Sequence, residues 1–247
     1  MSDFRAAYIN ELYKISKKKK ITVTIILSVL AVILTGIVVY AINRFAGIRI
    51  TGYSEFPTLA LSVFSYTLIP LFTAFVCIDM FSSEFVEQTI KITLTGPASR
   101  FKVFTAKVLA AATFIAANLL FVMLITLIVS LFINGIPTDL FKIILSYIFE
   151  FFPIFVFALM IILICNITKG TVSAFMISIL VFLLLNGLGI VFSAYKSFLF
   201  TSAFDWYKLF LGSYINFHKI FRVFVILCGY GIMLFGISNY LFDKKEL

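Results

Sequence analysis

Six stretches of the chain are long and apolar enough to cross a membrane, and that constrains the fold more than any motif in it. They cover about residues 21–41, 57–78, 103–133, 141–165, 171–194 and 220–242. A spanning helix needs roughly 20 apolar residues. The rest of the sequence offers little material for a soluble domain. Of 247 residues, 62% are hydrophobic and 13% are charged, and mean hydropathy is +1.14. A soluble domain is about half apolar and about a quarter charged. This chain has too few polar residues to solvate its own surface, so the bilayer is its solvent. The expected fold is an all-α integral membrane protein, with residues 1–247 forming a single transmembrane domain.

The net charge of +9 would suggest nucleic acid on a soluble protein. Here the basic residues cluster at the ends of apolar runs, which points to topology and anionic headgroups. No basic-aromatic motif stands in a soluble domain, so nucleic-acid binding is not expected. The larger share of the 20 Lys and Arg falls on one side. That side holds the start of the chain, the loop between spans two and three, Lys169 and the tail. Both termini are therefore expected in the cytoplasm. The first apolar run is of full spanning length and no small-residue cleavage site ends it, so it reads as a retained anchor rather than a signal peptide. Cys77, Cys165 and Cys228 all lie inside apolar runs without a CxxC spacing, so they read as small buried hydrophobes.

Two segments outside the spans carry a pattern. In residues 1–20, Phe4, Tyr8, Leu12 and Ile15 share one helical stripe, ahead of the run Lys17–Lys20. This predicts an amphipathic helix in the cytoplasmic interface, its lysines on anionic lipid. The external segment 195–219 carries Phe198, Phe200, Phe204, Trp206, Tyr207, Phe210, Tyr214 and Phe217, which is too aromatic for an ordinary loop. It reads as a helical hairpin dipping into the outer interface over the mouth of the protein, or as a surface that packs a partner.

The segment between spans two and three, FSSEFVEQTIKITLTGPASR at 81–100, is polar and helix-patterned. Glu84, Glu87 and Lys91 recur on one face, Phe81, Phe85 and Ile92 on another, and Pro97 limits the helix. The pattern predicts a short amphipathic helix parallel to the membrane, its charged side towards the cytosol. Such a helix either transmits force from a soluble partner or is a plain interfacial loop. Within the spans, Glu150 lies in the fourth with Pro153 one turn on, Asn118 in the third and Asn186 in the fifth. An intramembrane carboxylate is expensive and marks a functional candidate. The amides read as bridges between helices. Lys107, near the cytoplasmic end of span three, is expected to snorkel, and Asp79 to be interfacial. The lone His218 has no carboxylate or Cys neighbours that would make it a metal ligand, and no metal site is expected.

The string Phe81, Glu84, Thr89, Ile90, Lys91, Leu94, Thr95, Pro97, Ser99 and Arg100, followed by Lys107, resembles the segment after the second span in ABC-2-type transporter permeases. Members commonly carry Gly before the Thr-Ile-Lys, where this chain has Gln88; the substitution suggests a more helical segment. The layout is similar as well, down to the N-terminal helix and an aromatic re-entrant hairpin before the last span. The resemblance implies that 81–100 is a coupling helix docking on an ABC ATPase, with Glu87 among its residues. It also implies a second permease, as homo- or heterodimer, in the bacterial cytoplasmic membrane. The chain has no G-x-x-x-x-G-K-[ST] phosphate loop, so ATP and Mg²⁺ are expected on the partner. The chain is not expected to be an enzyme by itself. The expected function is export of an amphipathic or hydrophobic substrate, such as a membrane-active peptide, with Asn118, Glu150 and Asn186 as pathway candidates. The alternatives are a channel or secondary transporter, and an immunity or scaffold protein that acts by binding alone.

Overall fold

A computed structural model of the chain describes residues 2–45, 56–89, 99–133, 135, 139–191, 199–211 and 216–245. The described residues contain helices and no strand. In chain order these are α1 (Ser2–Lys17), α2 (Lys19–Phe45), α3 (Phe56–Ser65), α4 (Leu68–Met80), α5 (Ser82–Val86), α6 (Arg100–Ile133), α7 (Leu140–Ile167) and α8 (Thr171–Val191). A 3-10 turn (Phe200–Asp205), α9 (Lys208–Leu211) and α10 (Phe217–Lys244) complete them. Six stretches have the length and hydropathy of spans: α2, Leu68–Val86, α6, α7, Thr171–Gly189 and α10.

The second span is not the continuous helix that its apolar run predicts. It breaks at Tyr66–Thr67 into α3 and α4, and Thr67 leaves the helical region at φ −127, ψ −85. The local chemistry explains the break. Ser62, Ser65 and Thr67 each turn their hydroxyls back onto carbonyls of α3, at 2.7 Å. Such bonds compete with the backbone ladder. Pro70 follows in the first turn of α4, where its missing N–H leaves no helical bond unmade.

α7 is the central post. It packs against α3, α4, α6, α8, α9, α10 and the 3-10 turn. Pro153 sits inside it, buried, without ending it. α10 runs parallel to α7, shown by the Phe152–Phe224 ring contact at 6.0 Å and an Asn166 Nδ2 bond to the Ser238 carbonyl at 3.1 Å. α2 lies close against α6 at Gly36, where a Cβ would come within 2.4 Å of Val129 Cγ1. Small residues of this kind let membrane helices approach.

Aromatic residues gather at both ends of the bundle. Phe81, Phe85, Phe104, Phe235 and Phe242 pack edge to face or tilted at the end that holds both chain termini. At the opposite end Phe149 stacks on Phe210 at 3.9 Å and Trp206 packs edge-on to Phe149. The aromatic segment before α10 therefore folds back onto the bundle: Phe200, Phe204, Trp206 and Tyr207 are buried. Its flanks, 195–198 and 212–215, lie outside the described residues.

Candidate functional site

α1, α4, α5 and α6 meet around one lysine. Lys107 is fully buried. Its ammonium has three donors, and three acceptors stand around it: Glu84 Oε2 at 2.6 Å, Glu11 Oε2 at 3.0 Å and the Met80 carbonyl at 3.2 Å. Lys14 closes the circuit, 2.8 Å from Glu11 Oε1 and 3.4 Å from Glu84 Oε1. Two cations and two anions alternate, so no net charge is buried. Met80 ends α4, and a cation is favoured at a helix C-terminus. Burial raises the Glu11 carboxyl, but Lys107 and Lys14 pull harder, and it sits below the ordinary carboxylate value. Burial lowers Lys14, and Glu11 with Glu84 outweighs it, so Lys14 sits above the ordinary lysine value.

Three expectations change here. Lys107 does not snorkel; its carboxylate partners are supplied by the protein within reach of the buried ammonium. Glu84 does not face the cytosol with Glu87, because it and Ser82 are the buried residues of α5. Asp79 is likewise buried, paired with Lys18 at 2.7 Å and Lys20 at 3.5 Å. Glu11 and Lys14 were absent from the sequence-derived site. The signal that could have found them was a lysine in the middle of VFTAKVLAAA, which demands a carboxylate from elsewhere.

The segment after α4 is not one long helix. α5 stops at Val86, and Gln88 takes φ +55, the left-handed region. The chain thus adopts at Gln88 the backbone that glycine favours, contrary to the expectation of a more helical segment. Val86, Glu87, Gln88 and Thr89 are exposed, while Phe81 and Glu84 are buried. Ile90, Lys91, Leu94, Thr95 and Pro97 lie outside the described residues. Ser99 accepts from the Lys102 N–H at 3.4 Å, near the start of α6. Arg100 donates to the Asp243 carbonyl at 2.6 Å, and Lys245 reaches the Cys165 carbonyl at 3.1 Å while lying 3.9 Å over the Phe85 ring. The chain's end therefore packs on α5 through Phe85, next to the residue that faces α1.

The intramembrane candidates are placed separately. Glu150 is fully buried on α7, and neither carboxyl oxygen has a hydrogen-bond partner among the described residues. One turn earlier, Tyr147 donates to the Pro57 carbonyl and shares a bond with Thr126, both at 3.1 Å. Tyr66, at the break in span two, donates to Asp205 at 3.0 Å, and Lys208 pairs with the same carboxylate at 2.5 Å. This link ties the broken span to the turn before α9. Asn118 is buried without a hydrogen-bond partner among the described residues. Asn186 is half-buried and donates to the Phe182 carbonyl of its own helix at 2.9 Å, so that bond does not bridge helices. None of the three is hydrogen-bonded to another.

A family model described as "ABC-2 family transporter protein" matches residues 9–186, well over half of the chain. This chain belongs to the ABC-2 transporter family. It is accordingly a multi-pass membrane permease of an ABC transporter, a transmembrane subunit whose family works with an ABC ATPase. The matched region runs from α1 to α8 and contains every member of the Lys107 circuit. No curated protein matches the chain.

Proposed function

We propose that this ABC-2 permease drives export, with the ATPase docking on the segment 81–100 and both chain termini in the cytoplasm. The bond between Glu84 and Lys107 carries the reading. α5 is continuous in sequence with α4 and is keyed into α6 by that buried ion pair. A push on α5 therefore moves spans two and three together, as a transmission element requires. Exposed Val86 to Thr89 offer the contact, and Ile90, Lys91, Leu94, Pro97, Ser99 and Arg100 extend it along the segment. ATP and Mg²⁺ belong to the partner. A second permease, identical or homologous, completes the pathway in the bacterial cytoplasmic membrane.

The substrate in this reading is amphipathic or hydrophobic, a membrane-active peptide being one such molecule. Glu150, Asn118 and Asn186 are the candidates for its polar contacts. Glu150 supports this best, since a buried carboxyl without a partner has unspent hydrogen-bonding capacity. The test is purification from the native host in mild detergent. A stoichiometric ATPase should co-purify and be lost on Glu87→Lys or Lys91→Glu, with the permease still monodisperse. A chain that purifies alone from cells in which it works would overturn the reading in favour of a channel or secondary transporter. Glu84 is the wrong residue for this test, because reversing it breaks the permease itself.

A further inference from the structure

The C-terminal end of α10 grips the segment 81–100 at both of its ends. At the start, Phe242 packs edge-on to Phe81 at 6.5 Å and to Phe85 at 5.7 Å. The Lys245 ammonium lies 3.9 Å over the Phe85 ring, a cation on an aromatic face. At the other end, Arg100 Nη1 donates to the Asp243 carbonyl at 2.6 Å and to the Lys245 carbonyl at 3.4 Å. A helix leaves its last carbonyls without helical partners, and a cation there also meets the negative end of the dipole. Lys245 repeats the device one helix away, reaching the Cys165 carbonyl in the last turn of α7 at 3.1 Å. A displacement of the segment is therefore felt at the end of α10, whichever of its two bases moves.

Between its ends α10 is held by little. Its buried residues are Leu227, Leu234, Ser238 and Phe242, spaced as one narrow stripe of a helix. The register against α7 is constant: Phe152 meets Phe224, and Asn166 meets Ser238 at the same interval. A straight helix resting on one seam moves as a body, by small sliding against its neighbour. Its far end then meets the aromatic segment 199–211. Phe224 lies 6.4 Å from Trp206 and Tyr230 lies 5.6 Å from Phe200. From Phe242 to Phe224 the axis covers roughly 27 Å.

We infer that α10 is a transmission rod between the segment 81–100 and the aromatic segment at the opposite end of the bundle. Phe242 and Lys245 are positioning residues at its driven end, and Phe224 and Tyr230 pass the displacement on. The Glu84–Lys107 pair takes a push on α5 into spans two and three. The grip of Phe242 and Lys245 on Phe85 takes the same push into span six, and so to Trp206. The inference rests on the docking reading for the source of the push. Coupling between two sites is reciprocal in free energy, so loosening the driven end must be read at the far end even with no ATPase present.

Trp206 is the one tryptophan of the chain and is buried among Phe149, Phe152 and Phe224. The full chain, labelled with fluorotryptophan and held in nanodiscs, gives a fluorine NMR resonance from that site alone. Phe242→Ala and Lys245→Ala should each displace the resonance by more than its own linewidth. Lys245→Arg keeps a cation of similar reach and should return it to the native position. Lys245 is half-buried and lies just past the end of α10, so its variants keep the bundle folded. Lys18→Ala loosens the pair with Asp79 of α4, at the same end of the bundle, and should leave the resonance in place. A native resonance in Phe242→Ala and Lys245→Ala, with a lowered melting temperature, makes the grip a local staple and overturns the inference. An equal displacement in Lys18→Ala overturns it too, because the signal then reports general loosening. The sample contains no ATPase, so failure here leaves the docking reading to its own co-purification test.

Discussion

Replacing Lys107 with Met removes the ammonium at the centre of the α1–α5–α6 junction while keeping the apolar stem. Glu11 and Glu84 then stay buried, sharing only Lys14, whose second contact is already long at 3.4 Å. Removing one partner from a buried ion pair costs about 3–5 kcal/mol, because the remaining charge is left uncompensated. Against a total stability of about 5–15 kcal/mol this is a large fraction. At about 2–4 °C per kcal/mol for a chain of this size, the melting temperature should fall by roughly 10 °C. The assay is thermal unfolding of the purified chain in nanodiscs, followed by the fluorescence of its one tryptophan, Trp206. The double variant Lys107→Met, Glu84→Gln should recover part of the loss, since it removes one stranded charge. Lys102→Ala is the control. Its pair with Asp3 is 3.4 Å long and about 40% exposed on each side, so the change should cost well under ~1 kcal/mol. The contrast should persist at high salt, which screens exposed pairs far more than buried ones. A Lys107→Met protein melting within about 2 °C of the native one would refute the circuit as the joint between α1, α5 and α6.

Three further outcomes follow from particular residues. Gln88→Gly should be tolerated, with a gain of up to ~1 kcal/mol, because Gln88 holds a left-handed backbone; circular-dichroism melts of both chains check it, and a clear loss would show the turn to be misplaced. Gly36→Val should cost about 1–3 kcal/mol by overpacking the α2–α6 contact at Val129, read as a lower melting temperature, whereas Gly187→Val, which meets nothing nearby, should melt like the native chain. Glu11 has a lowered value in the folded chain, so its contribution is fully present above the unfolded carboxylate value of about 4.3 and is lost as pH falls through the folded value below it. Melts taken from pH 7 down to pH 3 should show this acid loss blunted in Glu11→Gln, and equal slopes in both proteins would contradict the assignment.

The spans were legible in the sequence because hydropathy is a local sum. Twenty apolar residues in a row exclude water wherever they are placed, and five of the six predicted runs correspond to stretches of spanning length, while the second, 57–78, is offset from Leu68–Val86. The family likeness was legible too, since it rests on a string of side chains close together in the chain. The break at Tyr66–Thr67 had local signals, namely three hydroxyls and Pro70, but the unbroken apolar run outweighed them. The helical reading of the segment after span two fails at Gln88: side-chain period carries no information about the sign of φ there.

The sequence by itself determined that this chain lives in a bilayer, how many stretches are long and apolar enough to cross it, and where the polar segments between them fall. Those outcomes follow from the free energy of each short stretch in water or lipid, summed along the chain. Tertiary structure alone decided the destinations of Glu11, Glu84 and Lys107. They are separated by 96 and 23 positions along the chain, and a charge reads the same on paper whether it faces water or a counter-charge. Only the packing of α1 and α5 against α6 puts these groups within bonding distance. In that setting a buried lysine becomes the joint between three elements.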